Sequence, residues 1–153
     1  MPDDWVKQRH RKFQEKATHE ATKKTWQENA KQSYPSMFQS LQDRVERDVE
    51  VSNEAFPLKL KFSHDAEGFY VVGPGDRKTA RHVSAVRTQG TVIKLEFGVG
   101  LISDGHRHDD RIEIVADDHD GSVRYRHKGK LLEDVSNASE IILDDLVNAA
   151  SAT

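Results

Sequence analysis

Residues 57–63, Pro57-Leu58-Lys59-Leu60-Lys61-Phe62-Ser63, set three large apolar side chains alternately with two lysines. A period of two belongs to a strand with one packed face and one wet face. The same alternation returns in Thr91-Val92-Ile93-Lys94-Leu95-Glu96-Phe97, where Ile93, Leu95 and Phe97 point one way and Val92, Lys94 and Glu96 the other. Between and beyond these two stretches, turn-like residues separate apolar runs, and the spacing predicts strands at about 57–63, 68–73, 79–88, 91–97, 111–116 and 122–128. Their short connections favour antiparallel pairing.

Upstream of Asn53 the period is helical. Asp3 or Asp4 is a suitable N-cap, and good helix formers run to about Gln32 without Gly or Pro. The apolar residues there are sparse: Trp5, Val6, Phe13, Ala17, Ala21, Trp26 and Ala30, a thin stripe that cannot form a core alone. Tyr34-Pro35 predicts a break, since proline lacks an N–H and disfavours helix at the preceding residue. Ser36-Met37-Phe38-Gln39 has the form of a capping box, and Met37, Phe38, Leu41, Val45 and Val49 recur at helical spacing to about residue 50. Near the other end, Asn137-Ala138-Ser139-Glu140 predicts a new N-terminus, followed by the stripe Ala138, Ile141, Ile142, Leu146, Val147 and Ala150. The order helix, helix, strands, helix predicts an α+β fold: an antiparallel sheet of five to six strands with two N-terminal helices and one C-terminal helix on one face. Residues 1–34 form a helical arm in this reading, and residues 35–153 a single α+β domain.

Composition narrows the function classes. The 153 residues are 35% apolar and 32% charged and include no cysteine, which excludes a disulfide framework, a thiolate metal site and a cysteine nucleophile. Met-Pro-Asp-Asp-Trp lacks the basic start and apolar run of a signal peptide, and no run of eighteen apolar residues occurs, so a cytoplasmic location without membrane contact is expected. The net charge of −3 is unevenly spread. Residues 1–34 carry eight Lys/Arg against five Asp/Glu, whereas residues 131–153 carry five acids and no Lys or Arg. Attraction between these ends favours terminal helices side by side or across a dimer, at about 0 to 1 kcal/mol for each exposed pair.

The densest polar constellation is Asp104-Gly105-His106-Arg107-His108-Asp109-Asp110. In an extended segment His106 and His108 project from the same side and can share a divalent metal, with Asp109 or Asp110 supplying oxygen. Solvated loop residues explain the run equally well, and no cofactor is required by it. His119 and Asp120 belong to Asp117-Asp118-His119-Asp120-Gly121, which reads as a hairpin turn about 20 Å along the strand from the first group. Gly73-Pro74-Gly75-Asp76-Arg77-Lys78-Thr79 lacks the Gly-Lys-Thr ending of a phosphate loop and suits a turn between strands, with Pro74-Gly75 at its centre. Arg124, Arg126, Lys128 and Lys130 alternate along one strand and can share a face, opposite Tyr125 and His127. Such a face suits phosphates, although an acidic chain without a reader motif makes a solvated sheet surface the simpler account. His64-Asp65, Glu67, and His82 beside Ser84 make no assembled nucleophile, base and oxyanion donor.

The sequence therefore leads us to expect a non-catalytic protein-interaction module that self-associates through its helices, with Trp5, Phe13 and Trp26 at the partner interface. One alternative is a small-molecule or metal-binding enzyme with its pocket between sheet and helices. The other is a nucleic-acid binder using the basic strand face.

Overall fold

A computed structural model describes residues 4–100 and 107–151. Its first element, α1 (Asp4–Ala55), is one uninterrupted helix of 52 residues, about 78 Å long at 1.5 Å per residue. The break expected at Pro35 does not occur, and the two N-terminal helices are one. Pro35 and Lys31 are both exposed, so the carbonyl deprived of its N–H donor faces water. On either side the helix is pinned to the body. Tyr34 donates its hydroxyl to the Val92 carbonyl at 2.8 Å and accepts from the Thr88 N–H at 3.1 Å, while Phe38 is fully buried. Those anchors outweigh the roughly 3 kcal/mol that an interior proline costs a helix. Ser36, expected as a cap, instead donates its hydroxyl to the Ser33 carbonyl inside the helix.

Among the described residues seven strands follow in place of the five to six expected: β1 (Lys61–His64), β2 (Gly68–Val72), β3 (Arg81–Arg87), β4 (Val92–Val99), β5 (Arg107–Ala116), β6 (Val123–His127) and β7 (Lys130–Leu131). Each pairs antiparallel with the next, so the spatial order is the sequence order. The first strand starts at Lys61, four residues later than the alternation suggests, because Lys59 turns the chain through a positive φ of 58°. Asn53 secures this bend: its side-chain amide donates to the Leu60 carbonyl at 2.9 Å, and its oxygen accepts from the Leu60 N–H at 3.0 Å. The short β7 pairs with β6 across a turn with positive φ at both Lys128 and Gly129.

Register assigns the faces. Phe69 and Val71 pair with Ala85 and Val83, which pair with Leu95 and Phe97. Ile93 meets Ile112, and Ile114 meets Tyr125. All are buried, and against them pack the α1 stripe Tyr34, Phe38, Leu41, Val45 and Val49 and the α2 stripe Ala138, Ile142, Leu143 and Leu146. Both helices therefore cover one face of the sheet. The second helix, α2 (Val135–Ser151), starts two residues before the expected cap, Asn137. Asp134 accepts from the Ser136 N–H at 2.7 Å, and the Asn137 side-chain oxygen accepts from the Asp134 N–H at 3.1 Å. The capping box is thus Asp134 with Asn137, an amide taking the place of the usual Glu or Gln.

Candidate interaction surface

α1 has two unlike halves. From Ala30 onward a buried residue recurs every three or four positions, but residues 4–21 are all exposed. Among the described residues before Ala30, only Thr22 and Trp26 are half-buried. Trp26 is where the helix first meets the body, its indole lying over Gly121 in the turn between β5 and β6. A side chain at Gly121 would overlap that ring, and its φ of 74° also suits glycine. Beyond Trp26 the arm extends about 33 Å, since 22 residues each rise 1.5 Å. Phe13 is 71% exposed and Trp5 57%, with the Arg9 guanidinium 5.2 Å from the Trp5 ring centroid. Of the three aromatics expected at an interface, Trp5 and Phe13 stand free of the body and Trp26 is used to seat the helix on it.

Sequence reasoning did not single out two further exposed apolar residues at the opposite end of α1, Val51 and Phe56, the latter 67% exposed. Helical periodicity up to residue 50 could have flagged Val51, which lies off the stripe that ends at Val49.

The histidine cluster divides. His106 lies outside the described residues, and β5 begins at Arg107, so His108, Asp109 and Asp110 are strand residues. His108 stacks on Phe97 of β4, with ring centroids 4.8 Å apart and planes 9° from parallel. Asp109 faces the other side, paired in register with Glu96. Asp110 shares the helix-covered side with His108 but turns to β6, where His127 Nε2 lies 2.6 Å from its carboxylate. A carboxylate can only accept, so Nε2 carries the hydrogen. Burial pushes the Asp110 carboxyl upward, but the hydrogen bonds from His127 and the Arg111 N–H, with the charges of His127 and Lys128, outweigh it and hold the pKa below its ordinary 3.8. Among the described residues no three His, Asp or Glu side chains converge as a metal site would require.

The basic strand residues are likewise committed to neighbours. Arg124 meets Asp117 at 3.1 Å and donates to the Leu132 carbonyl, and Arg126 meets Glu113 at 2.8 Å. Lys128 sits in the turn and Lys130 opens β7. A cross-strand carboxylate, Glu113, and one in the adjoining turn, Asp117, thus offset the two arginines on this face. The register of the β5 and β6 hairpin sets Glu113 opposite Arg126, and that register could not be fixed from alternation alone.

The other candidates resolve as structure. Asp76 accepts from the Lys78 and Thr79 N–H groups and from the Thr79 hydroxyl, which holds its carboxyl below the ordinary value and builds the turn at Gly75, where φ is 132°. His82 Nε2 lies 3.0 Å from the Gly100 carbonyl. A groove of about 450 Å³ opens beside Trp26, lined by Lys23, Lys31, Glu113, Asp118 and Arg126. Tyr125, 4% exposed, donates to the Met37 carbonyl at 2.7 Å, and burial raises its pKa to about 12. Among the described residues no helix is long and apolar enough to cross a membrane. Comparison with family models, with curated proteins and with solved structures returned no match for the chain.

Proposed function

We propose that this chain is a protein-interaction module that assembles through the projecting half of α1. The observation that carries the reading is the arm itself, eighteen consecutive exposed helical residues that include Trp5, Val6 and Phe13. Most helical stability in proteins comes from packing an apolar face, and the exposed arm packs none within its own chain, which favours a surface supplied by a partner. Large aromatics on such a segment give the most association energy for the fewest residues. The ion pairs at Arg124 and Arg126 lower the charge left for phosphates, and the separation of His108, Asp109 and Asp110 gives a metal reading less to rest on.

Native mass spectrometry of the untagged protein, purified from cells, tests the reading. A dimer, a larger assembly or a complex with a second polypeptide is the expected result. A bare monomer, or a monomer with a stoichiometric metal or small molecule, overturns it and redirects attention to the sheet.

A further inference from the structure

We infer that the partner is a second copy of this chain, bound with the two α1 helices antiparallel about a two-fold axis near residue 29. The inference rests on the interaction reading and specifies its occupant. Two independent features of α1 point to it.

The first is charge. Residues 4–25 carry seven Lys/Arg and three Asp/Glu, while residues 26–55 carry three Lys/Arg and six Asp/Glu. The basic half and the acidic half lie on one rigid rod and cannot meet within a chain. Lys12 and Glu46, for example, are separated by 34 residues, about 51 Å of helix, well beyond the roughly 8 Å over which exposed charges act in physiological salt. A parallel pair would set basic arm on basic arm. An antiparallel pair brings Lys12 level with the partner's Glu46 and Lys16 within a turn of the level of its Asp43, and the two-fold repeats both juxtapositions.

The second is the placement of exposed apolar side chains. Of the six large exposed hydrophobics described, five lie on α1 or one residue past its end, as Trp5, Val6 and Phe13 at the start and Val51 and Phe56 at the finish. An axis near residue 29 sets Trp5 and Val6 beside residues 52 and 53 of the second copy, within about one turn of its Val51 and Phe56. The same axis serves both the charge and the apolar pairing, and each arm covers the apolar end that the other copy leaves bare.

The chain has no cysteine, so introduced thiols are the only ones present. Thr18 and Ser40 are small, neutral and exposed, and they lie equally far from residue 29 on opposite sides. Full-length Thr18→Cys and Ser40→Cys variants are treated with a short bismaleimide, separately and mixed, alongside native mass spectrometry of each. The mixture is expected to give several-fold more linked dimer than either variant alone, with the yield falling as salt rises. Thr18→Cys chains linking to one another overturn the antiparallel arrangement and leave the interaction reading standing. Unlinked dimers overturn the proposed register, and a complex with a different polypeptide overturns the second copy as occupant, again without touching the broader reading. Monomers throughout overturn both.

Discussion

The two halves of α1 are made of similarly good helix formers, yet one half is a structural member of the core and the other is exposed from Asp4 to Ala21. Between Ala30 and Val49 the apolar residues fall every three or four positions and meet a sheet. Between Asp4 and Thr25 they are too few and too scattered to define a buried face, and no residue there is buried. Helix formation and helix burial are separate properties of a sequence. Pro35 makes the same point in reverse, since a strong local breaker in the packed half is overruled while the unpacked half contains no breaker at all.

The sharpest way to test this division is to truncate both halves. Leu41→Ala removes a fully buried side chain from the core that α1 shares with the sheet and α2, and should destabilise by about 3 to 5 kcal/mol in urea unfolding. A loss below about 1 kcal/mol would mean that α1 is not integral to the core. At the junction of the halves, Gly121→Ala forces a methyl against the Trp26 ring at a positive φ and should cost about 1 to 2 kcal/mol. Measured in a Trp5→Phe background, it should also shift the fluorescence of Trp26 toward that of a solvated indole. Unchanged emission would place the start of the packed half elsewhere.

A third change probes the sheet independently of α1. Because the native pKa of Asp110 lies below 3.8, its contribution to stability is complete above that value and is lost as pH falls through the lower native one. Asp110→Asn should therefore destabilise by about 1 to 2 kcal/mol at pH 7 and progressively less as the medium is acidified below pH 4. A penalty that stays constant with pH would show that the His127 bond is not charge-assisted. The smallest effect belongs to the free half: Phe13→Ala should change the unfolding free energy of the dilute protein by less than about 0.5 kcal/mol while weakening assembly. A large loss in dilute solution would break the comparison outright.

Periodicity was enough to expose the sheet, since the alternation at 91–97 and 111–116 is set by one packed face and one wet one. Strand ends were harder, because Lys59 adopts positive φ without being glycine and the two-residue β7 is too short to show a period. The continuity of α1 was illegible for a different reason: what holds it across Pro35 is Tyr34 bonded to Thr88 and Val92, partners more than fifty residues away. The same limit applied to the polar residues. Arg124, Arg126 and Asp110 were visible as singular residues, but each is defined by a partner on the neighbouring strand or in its turn.

The sequential strand order has a consequence for synthesis. A chain emerging from its N-terminus can zip each strand onto the one before it, with no strand waiting for a distant mate. α2, however, comes after every strand, and Ile142, Leu143 and Leu146 are needed to close the core over β3 and the second half of α1. Until α2 is made, the part of that apolar face not covered by α1 stays bare, and this is the interval in which a chaperone would have most to shield.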